Sequence, residues 1–171
     1  MKKIFLKCLI LLAVLITGCS ADLTTKEIVK TEFKEQSAVV IDNLFNITYV
    51  ENYAVAFGFM EVIDKSIRLP LIFFLVVIEI LFLLYIIWRN RNKNIKHLLP
   101  LVFILAGAFG NNIDRAVNGF VTDFLHLHYY NIYDFYVFNI ADIMINVGAI
   151  LLIIQYRNSD IDLFNKKSVK I

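Results

Sequence analysis

The chain has 171 residues, 59% of them hydrophobic, and a mean hydropathy of +0.69, well above the roughly 45–50% apolar content of a soluble domain. Its formal net charge is only +2, and the basic residues fall in short clusters beside apolar runs, which excludes a broad nucleic-acid surface and indicates a membrane protein. Two cysteines, Cys8 and Cys19, and three histidines, His97, His126 and His128, are too few and too poorly spaced for a disulfide scaffold or a four-ligand metal site. No metal and no cofactor is therefore expected.

Four apolar segments are long enough, with help from flanking residues, to approach the about 20 residues a membrane helix needs; their spans are taken as 4–22, 69–88, 98–115 and 137–156. The first follows Lys2 and Lys3 and contains Leu15-Ile16-Thr17-Gly18-Cys19, which has the form of a lipoprotein signal peptide ending at a lipidated cysteine. Three later spans weigh against that reading, because removing the first would leave an odd number of helices and strip away the lysines that orient it. After it come Val39-Val40-Ile41 and Leu44 to Val50, rich in β-branched and aromatic residues and broken by Asp42-Asn43. They predict a short strand region, 38–60, forming a small sheet at the membrane surface.

Arg89, Arg91, Lys93 and Lys96 separate the second and third segments, and Arg157, Lys166, Lys167 and Lys170 follow the fourth. The positive-inside rule then puts both termini in the cytoplasm and the stretches 20–68 and 114–136 outside. No internal repeat, Pro-rich linker or low-complexity stretch appears, so residues 1–171 are read as one integral-membrane domain.

Polar residues concentrate late in the chain. Gly107 to Arg115 reads Gly-Ala-Phe-Gly-Asn-Asn-Ile-Asp-Arg, followed by Val121-Thr122-Asp123-Phe124 and Phe138-Asn139-Ile140-Ala141-Asp142. On a helix, Asn111, Asp114 and Arg115 share a face, and Asn139, Asp142 and Asn146 form a second polar stripe. Asparagines between membrane helices commonly serve only to hold them together, which suffices for Asn146. Carboxylates there are costly enough to imply function. Two held close share one proton, so that one acts as general base on water while the other polarises a carbonyl. Ser20, Ser37, Ser66, Ser159 and Ser168 sit in no nucleophile motif, and no His-Glu-x-x-His occurs, so serine and zinc peptidase machinery is not indicated.

In order and spacing these blocks resemble the bacterial lipoprotein signal peptidases, or signal peptidase II. The family's Asp-x-x-Thr-Lys element is similar to Asp22, Thr25 and Lys26, and its Asn-x-Gly-Ala-Ala-Phe-Gly element to Asn52 through Gly58. Its remaining blocks match the three quoted above. The resemblance implies a mainly α membrane fold of four transmembrane helices with an extracytoplasmic β-cradle, and an aspartic endopeptidase. That enzyme cleaves diacylglyceryl-cysteine prolipoproteins at the outer face of the bacterial cytoplasmic membrane. It further implies Asp123 and Asp142 as the catalytic dyad, and Asn52, Asn111, Arg115 and Asn139 as residues that bind substrate or support the dyad. Asp22, Lys26 and Asp114 would be structural. Prolipoproteins and membrane lipids are the expected partners, the expected state is a monomer, and globomycin is an expected inhibitor. Leu23, Glu51, Ala54, Val55 and Ile143 depart from the family pattern, which bears on substrate preference more than on chemistry. The alternative is a non-catalytic lipoprotein, or lipoprotein-binding relative, lipidated at Cys19.

Overall fold

The computed structural model describes residues 2–53, 65–130 and 132–157. The departures at Ala54 and Val55, the outer β region beyond residue 53 and the C-terminal lysines lie outside the described residues. In chain order the elements are α1 (Lys2–Glu32), β1 (Ala38–Ile41), β2 (Phe45–Asn52), α2 (Lys65–Arg89), α3 (Ile95–Asn118), β3 (Val121–Tyr129), β4 (Tyr133–Asp134) and α4 (Ile140–Arg157).

The first helix runs well past the expected end at residue 22. No Gly or Pro interrupts residues 20–32, the Thr25 hydroxyl donates back to the Ala21 carbonyl at 2.8 Å, and Lys26 pairs with Asp22 one turn earlier at 2.7 Å. At 31 residues α1 is about 46 Å long, against a hydrocarbon core of about 30 Å. Its last turns therefore stand beyond the apolar zone, where the chain turns into the sheet.

The helices α1, α2 and α4 are long and apolar enough to cross a membrane, and they expose Phe5, Leu9, Phe73, Phe74, Leu81, Trp88, Ile150 and Ile153. Such outward apolar faces suit lipid and would be a liability in water. α3 has the length but carries Asn111, Asn112, Asp114 and Arg115 in its last turns, and it occupies the centre, with Leu98, Leu101, Val102, Leu105 and Ala106 all buried. α1 and α4 flank α3 closely. α2 packs on it through Leu83 and Ile86, and makes no contact with α4 among the described residues.

Small residues let the helices approach. A Cβ on Gly107 would run into the Ala141 carbonyl oxygen and come within 2.7 Å of the Ile145 side chain, so α3 and α4 are in backbone contact there, as small residues allow between membrane helices. At the other end of the bundle Pro100, which has no N–H, leaves the Lys96 carbonyl free within α3. Gln155 of α4 donates to that carbonyl at 2.9 Å. Lys7 of α1 reaches the Arg91 and Lys93 carbonyls of the α2–α3 loop.

The four strands form one antiparallel sheet ordered β1-β2-β3-β4. The β1–β2 turn places Asn43 at φ 57, a left-handed conformation that asparagine tolerates. α3 ends at Gly119, φ 84, whose N–H returns to the Arg115 carbonyl at 2.9 Å, and β3 starts two residues later. β3 is a nine-residue strand in the outer stretch 114–136, where the sequence predicts no strand. Leu125-His126-Leu127-His128 alternates apolar and polar residues, the period-two pattern of a strand with one face covered.

Replacing Gly107 by Ala should force α3 and α4 apart and lower stability by about 1–3 kcal/mol, the usual range for overpacking. Thermal unfolding in detergent measures it; an unchanged midpoint would show that the helix contact is not tight.

Candidate active site

The N-terminus of α4 is closed by a reciprocal cap. Asn139, the residue before the helix, accepts through Oδ1 from the Asp142 backbone N–H at 2.9 Å, and Asp142 Oδ2 accepts from the Asn139 backbone N–H at 3.1 Å. This is capping-box geometry, with Asn and Asp in the places of Ser/Thr and Glu/Gln. The spacing in Asn-Ile-Ala-Asp thus fixes where the Asp142 carboxylate sits. The next free helical N–H, that of Ala141, donates to Asp22 Oδ1 of α1 at 2.8 Å.

β3 carries the second carboxylate. Asp123 stands opposite Val50 and Val121 opposite Asn52, so Asn52 and Asp123 are diagonal neighbours on one face of the sheet. The Asn52 amide donates to Asp123 Oδ2 at 2.7 Å. A bridge between Leu125 and Phe138, with the Leu125 N–H on the Phe138 carbonyl at 2.8 Å, draws the start of α4 onto β3 immediately before Asn139.

Asn139 joins the two carboxylates. While its oxygen and N–H hold Asp142, its Nδ2 donates to Asp123 Oδ1 at 2.6 Å and to Asn111 Oδ1 at 3.1 Å. Asn111 donates to Asp142 Oδ1 at 2.9 Å and accepts from Lys26 at 2.7 Å. Each aspartate therefore receives a donor on each oxygen. Asp123 is only 2% exposed and Asn139 wholly buried, whereas Asp142 is half-buried. Burial, reinforced by the nearby Asp142 charge and opposed by the Asn52 and Asn139 amides, raises the Asp123 pKa to about 6. Asp142 stands in the first turn of α4.

Lys26, buried, pairs with Asp22 at 2.7 Å and with Asp114 at 3.7 Å. Asp114 also accepts from the Thr122 backbone N–H at 2.6 Å and from the Asn118 amide at 2.6 Å, which ties the end of α3 to β3 one residue from Asp123. Arg115 is half-buried and within electrostatic reach of Asp123, Asp114 and Asp142, with no side-chain hydrogen bond among the described residues.

Glu51 lies opposite Thr122, on the sheet face turned away from Asp123. It accepts from the Tyr53 hydroxyl at 2.6 Å and the Tyr49 hydroxyl at 2.9 Å, and these two bonds, Tyr53 first, hold its carboxyl below the usual carboxylate range. Asn146 donates to the Asp142 carbonyl within α4 at 2.9 Å. Near the sheet's far edge His126 pairs with Asp134; among the described residues no three His, Cys, Asp or Glu side chains are grouped to hold a metal ion.

Residues 12–157 match the family model described as Signal peptidase (SPase) II. The chain is 39% identical over 140 residues to the lipoprotein signal peptidase of Haemophilus influenzae, covering 81% of this chain and 80% of that one. Against the lipoprotein signal peptidase of Clostridium tetani it is 39% identical over 119 residues, 70% of this chain and 73% of the other. Its fold is similar to that of a bacterial membrane enzyme solved in meso at 1.9 Å resolution, with a TM-score of 0.71, 31% identity, and coverage of 85% of this chain and 91% of that one. A membrane-embedded peptidase is the class that fold, site and relatives define together. The chain belongs to the signal peptidase II family. A non-catalytic lipoprotein is not favoured, and Leu15 to Cys19 lie inside the continuous helix α1, with Gly18 against Met144 of α4.

Asn139→Ala should remove the cap and lower stability by about 0.5–2 kcal/mol, whereas Asn139→Ser should retain most of the cap and lose the amide that reaches Asp123. Thermal unfolding combined with peptide cleavage separates the two roles. Equal cleavage by the Ser variant and the unaltered protein would show that the bridge to Asp123 is dispensable.

Proposed function

We propose that this signal peptidase II is an aspartic peptidase whose dyad is Asp123 and Asp142, cleaving the signal peptide from prolipoproteins that carry a diacylglyceryl cysteine. The observation that carries the reading is Asn139, one residue hydrogen-bonded to both carboxylates. Asp123, buried and with its pKa raised to about 6, serves as the acid that protonates the scissile carbonyl oxygen. Asp142 serves as the base and takes a proton from the attacking water. The resulting diol collapses: the C–N bond breaks, the amine of the lipidated cysteine leaves with the proton held by Asp142, and Asp123 recovers its proton from the diol. No covalent intermediate is needed.

The supporting residues fit that sequence of steps. Asn52 and Asn139 orient Asp123, Asn111 orients Asp142, and Arg115 offers donors to the substrate backbone. Ile72, Phe73 and Val76 of α2 face Asn112 and Arg115 of α3, so an apolar wall leads towards Arg115, and the open side between α2 and α4 admits acyl chains from lipid. Asp22, Lys26 and Asp114 hold the frame. The basic end, with Lys7, Arg89, Arg91, Lys93 and Arg157, lies in the cytoplasm by the positive-inside rule. The four helices then span the bacterial cytoplasmic membrane as one domain, acting as a monomer with the dyad on the extracytoplasmic side.

Asp123→Asn and Asp142→Asn should each lower kcat for a diacylglyceryl prolipoprotein by about 10²–10⁴-fold, the span of acid–base contributions. Undiminished cleavage by either variant would remove the assignment. The pH profile offers a second measurement: because Asp123 keeps its proton to about pH 6, kcat/KM should fall as pH rises past about 6 and the acid is lost. That limb belongs to the pair rather than to one residue. A fall centred near pH 4, the ordinary aspartate value of about 3.9, would contradict the acid role.

A further inference from the structure

Behind the dyad, on the opposite face of β3, lies a second polar cavity. Thr122 alternates with Asp123 along the strand and so points away from it. A cavity of about 150 Å³ opens there between α1 and α3, lined by Lys26, Glu27 and Lys30 of α1, by Asp114 and Asn118 of α3, and by Thr122. A single water needs only about 10–15 Å³ on this measure, whereas a site for a whole small molecule takes roughly 300 Å³ or more. The space suits a headgroup whose remainder lies outside.

The lining says which headgroup. Lys26 is committed to Asp22, Asn111 and Asp114. Lys30 is not: it donates to Asn118 at 2.9 Å, stands a loose 3.9 Å from Glu27, and its side chain is 32% exposed, which leaves ammonium protons for an oxyanion. The Thr122 hydroxyl is buried and has no hydrogen-bond partner. Glu27, on the rim and 67% exposed, offers a carboxylate to a cation that can donate hydrogen bonds. Around the mouth are Leu23, Ile113 and Val117, the last 76% exposed on α3, in position to meet acyl chains. A free phosphate would use none of that apolar rim and would meet Glu27 and Asp114 unfavourably.

We infer that this cavity binds the headgroup of a phospholipid bearing both a phosphate and a primary amine, the phosphatidylethanolamine class, with the phosphate on Lys30, the ammonium on Glu27 and the acyl chains along α1 and α3. The occupant sits against Thr122 and Asp114, whose 2.6 Å link anchors β3 beside Asp123. Lipid class thereby reaches the active site without entering it.

The test uses the full chain, purified and delipidated in detergent, and reads binding rather than cleavage, so its failure is distinct from failure of the peptidase assignment. Phosphatidylethanolamine, phosphatidylcholine and phosphatidylglycerol with identical acyl chains are added and followed by native mass spectrometry and thermal shift, with inorganic phosphate as a separate arm. One phosphatidylethanolamine should be retained in preference to the other two. Lys30→Gln should weaken its retention about tenfold or more, as loss of a charge-assisted hydrogen bond requires, while Lys30→Arg keeps it. Glu27→Ala should abolish the preference over phosphatidylcholine, whose quaternary amine has no proton to donate. Should Lys30→Gln not fold, the Arg and Glu27 variants carry the test. Equal retention of the three lipids by the unaltered protein, unchanged retention in Lys30→Gln, or a thermal shift reproduced by inorganic phosphate would each overturn the proposal.

Discussion

The side chain of Asn139 is where helix, sheet and carboxylates become one structure. Its oxygen caps α4 at Asp142, its amide donates to Asp123 of β3 and to Asn111 of α3, and it is fully buried. A buried amide is tolerable only when its hydrogen bonds are met, and a network met in full is rigid. Three elements must therefore hold their positions together. The distance from the first turn of α4 to β3 is set by the reach of one asparagine.

Around that centre the bundle is fastened by charges that a bilayer would otherwise exclude. Asp22, Lys26 and Asp114 are all buried and stabilise one another through an ion pair, a longer contact and shared hydrogen bonds. Burial of charge costs several kcal/mol per ion unless it is so compensated. Each group also does local work on an element: Asp22 takes the Ala141 N–H at the head of α4, Lys26 orients Asn111, and Asp114 takes the Thr122 N–H of β3. Close approach at Gly107 makes these short bonds possible. α2, which among the described residues packs on α3 alone, stands outside this fastening and leaves one side of the bundle open to lipid.

Glu51 shows how a departure from a family pattern can be absorbed. Two tyrosines of its own strand region, Tyr49 and Tyr53, donate to it, so its charge is held on the back of the sheet. Lys30 and Lys34 add favourable charge at longer range. The face that carries Asp123 and Asn52 is left as it was.

Much was legible in the residues alone. Apolar length marked the helices, since a bilayer demands runs of that size. The ordered blocks around Asn52, Asn111, Asp123 and Asn139 marked the family, whereas the spacing of Asn139 and Asp142 suggested a stripe on one helix and Asn139 in fact stands before α4 as its cap. Other features were not legible. The apolar stretch ending near residue 22 does not show that α1 continues to Glu32, because the extension is polar and adds to its local bonds the partners Asn111 and Asn118 on α3 and the Ala141 N–H on α4. β3 was missed because its alternation begins beside a helix end and its register depends on β2. That Asn139 reaches both aspartates, and that Asp22 serves the head of α4 from 119 positions away, follows only from tertiary packing: the sequence by itself determined which residues are polar within the membrane, and the fold decided which of them meet, because hydrogen bonds over such separations form only once the helices have closed on one another.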